Sequence, residues 1–192
     1  MIAASPAVVL GVGNVLLHDD GVGVRVIEEL RRLVADDPAA LPEGTRLVDG
    51  GTLGLGLLDA VRGAGSLLLL DAINLDREAG TISVLRGDAI DAAGGPGAGA
   101  IPGSIGELLV LARLMGWLPD PVTLVGVQVG DTGFGIGLSP SVEVAVSDAV
   151  EIARTELRAL DERATAGRSS TRASGTRASG TRASGQQDEA TA

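Results

Sequence analysis

Apolar and polar positions alternate along the chain in blocks that switch between strand and helix character. Ala7 to Leu10 is a continuous apolar run broken at once by glycine, as a buried strand and its turn would be. Val22, Val26, Ile27, Leu30 and Leu33 follow at helical spacing, with Glu28, Glu29, Arg31 and Arg32 on the other face. This predicts an amphipathic helix that starts near Gly21 and stops in the polar stretch Asp36 to Gly44. A second short strand is predicted over Thr45 to Val48 and a short, glycine-weakened helix over Leu53 to Val61. A third, fully apolar strand spans Ser66 to Leu70 and ends at Asp71.

The next strand pattern, Thr81 to Leu85, comes too soon for a helical crossover, which needs about a dozen residues or more, so it should run antiparallel to the third strand. Gly87 to Gly103 is rich in Gly, Ala and Pro, has no core pattern and reads as a mobile loop. Ser104-Ile105-Gly106-Glu107 forms a capping box that opens a helix to about Met115. A fifth strand, Val122 to Val127, precedes a last helix with Ser139 as N-cap and Pro140 in its first turn, reaching about Asp161. The order predicts an α/β fold: three layers, α/β/α, around a mixed, mostly parallel five-stranded sheet.

From Ala164 the character changes. TRASG occurs three times in tandem, Thr171 to Gly185, then QQDEATA. Small polar repeats without apolar periodicity bury no core, so residues 164–192 are expected to be a disordered tail behind one domain, residues 1–163. The whole chain is 45 % hydrophobic and 1 % aromatic, with a formal net charge of −10. A core of Val, Leu, Ile and Ala suits a buried parallel sheet. The charge argues against nucleic acid or an anionic membrane surface as partner. In the tail, Arg168, Arg172, Arg177 and Arg182 outweigh Asp188 and Glu189, so the part before it is more acidic still. The chain has no cysteine, which excludes a disulfide framework, a zinc–thiolate site and a cysteine nucleophile. MIAASPAVVLGVG lacks a basic n-region, and no apolar run is long enough to span a bilayer. A cytoplasmic protein is expected.

Candidate chemistry sits where strands end. In open α/β sheets, ligands bind beyond the carboxyl ends of the strands, where strand order reverses. If the first strand lies between the second and third, Asp19, Asp20, Asp49 and Asp71 collect at one crevice, with Arg25 and Arg46 as the cations in view. Like charges that close together raise a pKa or attract a cation, and they repel phosphate. LGVGNVLLHDDGVG also misses the third glycine of a dinucleotide loop, so a nucleotide site is the weaker reading. Each acid has a plain structural role as well. Asp19 can cap the first helix, Asp20 can complement its dipole, and Asp49 before Gly50-Gly51 can close an Asx turn. Asp71, directly after four leucines, is costly to bury without a partner or a task. His18, the only histidine, reads as a surface residue, Asn14 as a brace for the loop, and Glu107 as a capping-box member. No serine lies in a G-x-S-x-G elbow, so a serine triad is not indicated.

Together these stretches resemble the hydrogenase maturation endopeptidases. The matching pieces are VVLGVGNVLLHDDGVGVRVIEEL, LVDGGTLGLGLLDAV, LLLLDAI, ARLMG, TLVGVQ and GLSPSVEVAV, in family order from Val8 to Val146. The resemblance implies a hydrolase-like three-layer fold and an endopeptidase that probes the nickel already inserted in its substrate and then removes the C-terminal extension of the nickel-iron hydrogenase large-subunit precursor. It implies no cofactor of the protein's own, since the nickel is recognised in the substrate, and it implies a monomer. The family's metal-binding positions fall on Asp20 and Asp71, which would also be the catalytic pair. A histidine at the third falls on Ile101, which has no donor atom. That departure motivates a second reading, a cleavage-deficient, chaperone-like binding module for the same large subunit.

Overall fold

The computed structural model describes residues 6–94 and 104–175, with side chains left out at Ser104 and from Ala164 onward. Five strands form one sheet: β1 (Ala7–Val12), β2 (Arg46–Gly51), β3 (Ser66–Ile73), β4 (Ile82–Arg86) and β5 (Val122–Gln128), in spatial order β2-β1-β3-β5-β4. β1, β2, β3 and β5 are parallel, and β4 runs antiparallel against β5. The expected direction of β4 holds, but its neighbour is β5 and not β3. A short connection excludes a crossover, yet it leaves room for β5 to slip between the two.

Alternation along the buried strands divides the interior in two. Val9, Leu68, Leu70, Val125 and Val127 face α1 (Val22–Asp36) and α5 (Pro140–Gly175). Val8, Leu10, Leu67, Leu69 and Leu124 face the single-turn α2 (Leu58–Val61), α3 (Asp88–Gly94) and α4 (Ser104–Leu114). All eight residues of β3 are buried, as the central strand of a covered sheet should be. Removing one of its leucine side chains, Leu69→Ala for example, would cost about 2–5 kcal/mol.

The first helix lies unusually close to the sheet because of its glycines. A Cβ on Gly23 would stand 2.2 Å from the Leu70 carbonyl oxygen and 2.3 Å from that of Val12. One on Gly11 would stand 2.2 Å from Ile27 Cγ1. The glycine spacing that looked like a phosphate loop therefore serves backbone-to-backbone packing.

Two segments differ from expectation. Asp88–Gly94 of the presumed loop is helical, anchored by Ile90, which is buried against the α2/α4 side. One buried isoleucine among small residues was too sparse a signal; the remainder of that loop, with Ile101, lies outside the described residues. The last helix continues past Asp161 to Gly175, into the segment assigned to a tail. Extending an existing helix avoids the nucleation cost, and Ala and Arg favour it. Residues 176–192 lie outside the described residues. No helix among the described residues is long and apolar enough to cross a membrane.

Candidate functional site

The loops after β1, β2, β3 and β5 emerge at one edge of the sheet, since these strands are parallel. β1 lies between β2 and β3, so strand order reverses there, as the crevice argument required.

Gly13 carries the chain off β1 at φ 133°, and a Cβ there would come within 1.8 Å of the Asp20 carbonyl oxygen. That close approach folds Asn14 to Asp20 back over the strand end. Asn14 braces the turn as expected: its Oδ1 accepts the Leu16 N–H at 3.0 Å. The Asn14 N–H donates to Asp20 Oδ2 at 2.7 Å, which fixes that carboxylate. Asp20 follows in a 3-10 turn, His18–Gly21, and stays partly accessible.

Asp71 arrives from the other side. The sequence placed it just past the third strand; it lies within β3, paired with Gly126 of β5. It is 3 % exposed. Its Oδ1 accepts the N–H of Ala72 at 2.8 Å. Burial pushes this carboxyl well above the usual carboxylate range; the Ala72 N–H pulls it down, and the charge of Asp20 pushes it up further. The two acids, separated by fifty residues of chain, are therefore close enough to act on one another. Arg25 is engaged elsewhere, with Glu29 and, at 3.4 Å, Glu143.

Asp19 is not the helix cap that its position suggested. The cap of α1 is Gly21, with no side-chain hydrogen bond. Asp19 is 0 % exposed and reaches across to the β5–α5 loop. Its Oδ2 accepts the N–H groups of Gly130 and Asp131 at 2.9 and 2.8 Å and the Ser139 hydroxyl at 2.8 Å. Its Oδ1 accepts the Ser139 N–H at 2.6 Å. Burial alone would raise its pKa, but these four bonds win, and the carboxyl sits below its ordinary value. Sequence reading missed this role. The signal was there only as a second acid beside Asp20.

Asp49 takes its plain structural role, an Asx turn in which Oδ1 accepts the Gly51 N–H at 3.1 Å. His18 is partly exposed; its Nδ1 lies 2.9 Å from the Gly137 carbonyl oxygen and its ring packs on Gly135. Gln128, buried at the end of β5, was not singled out beforehand. Its Oε1 accepts the Leu75 N–H at 2.8 Å and its Nε2 donates to Asn74 Oδ1 at 3.1 Å, which holds the β3–β4 loop at the edge.

The fold defines an α/β/α protein whose strand-end edge brings Asp20 and Asp71 near enough to influence one another. The family model of hydrogenase maturation proteases matches residues 24–156, and the chain belongs to that family. It is 37 % identical over 153 residues to a hydrogenase expression/formation protein of Rhodobacter capsulatus, covering 79 % of this chain and 70 % of that one. It is 34 % identical over 151 residues to the hydrogenase 2 maturation protease of Escherichia coli, covering 78 % and 89 %. Among solved structures, the hydrogenase maturating endopeptidase HybD from Escherichia coli superposes with a TM-score of 0.69 at 33 % identity, covering 80 % of this chain and 92 % of that one.

Proposed function

We infer that this chain is an aspartic-type endopeptidase that removes the C-terminal extension of the nickel-iron hydrogenase large-subunit precursor after nickel insertion, with Asp20 and Asp71 as its working pair. The observation that carries the reading is the environment of Asp71. A carboxyl whose pKa is raised by burial, with a second acid near enough to raise it further, is the arrangement general acid–base hydrolysis needs.

In this scheme Asp20 accepts a proton from the attacking water as its oxygen bonds to the scissile carbonyl carbon. The Asp71 proton hydrogen-bonds the carbonyl oxygen as negative charge builds there. Collapse of the tetrahedral intermediate breaks the C–N bond, and the proton taken by Asp20 passes to the leaving amine. Water is consumed, two chain ends form, and both acids regain their starting protonation.

Nickel is read as part of the substrate. Among the described residues no group of three or more His, Cys, Asp and Glu is placed to hold a metal ion. With the proton on Asp71, the Asp20 carboxylate is left to face a cation whose remaining ligands come from the precursor, which suits outer contact better than a resident nickel centre.

A processing assay with nickel-loaded precursor tests the reading. Asp20→Asn and Asp71→Asn should each slow cleavage by about 10²–10⁴-fold. Cleavage by Asp71→Asn at the wild-type rate would sink the carboxylate mechanism. Capture of the precursor by wild-type protein with no shortening would turn the reading toward the chaperone-like module.

A further inference from the structure

The crevice is surrounded by apolar side chains that the fold does not use. Val15 and Leu16 of the β1–α1 loop, Leu53 and Leu55 after β2, and Phe134 and Ile136 of the β5–α5 loop are all exposed at the same edge as Asp20 and Asp71. Phe134 is the only phenylalanine in the chain, yet it is 86 % exposed, and Ile136 is 82 % exposed. A chain this poor in aromatics gives up core stabilisation by leaving its one Phe in water. Single exposed apolar residues need no explanation, but a set from three loops around one crevice does.

These residues are held in place. The Gly135 N–H donates to the Leu16 carbonyl at 2.9 Å and the His18 N–H to the Gly135 carbonyl at 3.1 Å, which forms a parallel bridge. A Cβ on Gly135 would meet the His18 ring at 2.1 Å, so this position faces inward while its neighbours on either side stand out. Asp19 anchors both ends of the same loop through Gly130, Asp131 and Ser139. Ile136 lines a pocket of about 180 Å³ together with the apolar Val15, Val24 and Leu138 and the charged pair Arg25 and Glu28; Gly21, next in chain to Asp20, lines it too.

The occupant follows from charge. Exposed or partly exposed Asp20, Asp49, Asp76, Glu78 and Asp131 stand on these loops. The cations near them among the described residues are Arg77 on the β3–β4 loop and Arg25 at the pocket, and Arg25 is already paired with Glu29 and Glu143. Two copies of so acidic an edge would repel, and the chain as a whole carries −10. The chain's own C-terminal segment has no large apolar side chain after residue 164. Helix α5 also carries it away from this edge by about 1.5 Å per residue. We propose that Phe134, Ile136 and the pocket that Ile136 lines dock an apolar, positively charged segment of the precursor beside the bond that Asp20 and Asp71 cut. This rests on the protease reading for the identity of the partner.

Binding and cleavage are measured separately on the full chain. Nickel-loaded precursor is titrated against wild type, Asp71→Asn and the double variant Phe134→Ser/Ile136→Ser, with circular dichroism to confirm that each is folded. The double variant should bind about tenfold or more weakly, while Asp71→Asn binds like wild type and fails to cleave. Binding of wild type should also weaken as salt is raised. Binding by the folded double variant within about twofold of wild type would overturn the docking surface and leave the carboxylate mechanism standing. Sedimentation of wild type as a dimer that the double variant abolishes would overturn it in favour of a second copy. Cleavage by Asp71→Asn would sink the mechanism while the binding arm still judges the surface. If the double variant is unfolded, the single variant Phe134→Ser, which alters one solvent-exposed side chain, is read by the same criteria.

Discussion

Asp19 and Asp71 stand at the same edge of the sheet, 0 % and 3 % exposed, and differ in what surrounds their oxygens. Asp19 accepts four hydrogen bonds from the β5–α5 loop and is held below its ordinary pKa. Asp71 accepts one, from the N–H next in chain, and is held well above. Burial is common to both, so burial does not decide what a carboxyl does; the supply of donors does. A carboxylate saturated with donors is a structural clamp, because its lone pairs are occupied and its proton is gone. A carboxyl starved of donors, beside another negative charge, holds its proton more tightly than an ordinary carboxyl does. The separation of the two roles, one on the β1–α1 loop and one within β3, lets the same edge be both rigid and reactive.

The largest effect that could break this comparison is on rate. Asp71→Asn should lose about 10²–10⁴-fold in precursor cleavage while remaining as stable as wild type or more so at neutral pH. Its amide needs no ionised state at a buried position. Asp19→Ala should show the reverse emphasis in urea denaturation. It strands the N–H groups of Gly130, Asp131 and Ser139 and should cost on the order of 3–5 kcal/mol. Asp19→Asn, which keeps one acceptor oxygen, should cost less than Asp19→Ala. Were Asp19→Ala to unfold at the wild-type denaturant midpoint, the clamp would be ruled out.

The pH dependence of stability should carry opposite signs at the two positions. The folded pKa of Asp19 is depressed, so its contribution is full above the unfolded value, about 3.9, and is lost as pH falls through the folded value. The folded pKa of Asp71 is raised, so the native state holds a proton that the unfolded chain releases above about 3.9. Its contribution is full below that value and is lost as pH rises toward the folded value. Urea titrations from acid to neutral pH should therefore show Asp71→Asn gaining on wild type with rising pH, and Asp19→Asn losing ground. Parallel curves for both variants would erase the distinction.

Much of this was legible in the chain because apolar runs and helical spacing act locally. Leu67 to Leu70 had to be a covered strand, and Val22 to Leu33 had to lay one face on it. The proximity of Asp20 and Asp71 was legible because both lie toward the carboxyl ends of adjacent parallel strands, which the fold brings to one edge. Asp19 was misread because the rule for a helix start sees near neighbours, whereas its partners lie 111 to 120 residues away. The edge position of β4 was hidden for a similar reason, since the strand that displaces it from β3 comes later in the chain. The helical stretch Asp88–Gly94 was hidden by composition, with Ile90 as its one core contact among small residues.

A third carboxylate supplies the smallest and most discriminating test. Asp91 has a cation in contact, Arg113 Nη2 at 3.0 Å, but both side chains are about half exposed, 45 % and 53 %. The pair lies at the opposite end of the sheet from Asp20 and Asp71, on a hollow that also includes Arg86 and Pro119. Water at this position supplies donors whenever the protein does not, so neither clamp nor proton store can form. Asp91→Asn should shift stability by less than about 1 kcal/mol, less still at high salt, and leave precursor cleavage unchanged. A loss near that of Asp19→Ala would show that counting donors without regard to solvent is the wrong measure of a carboxylate's role.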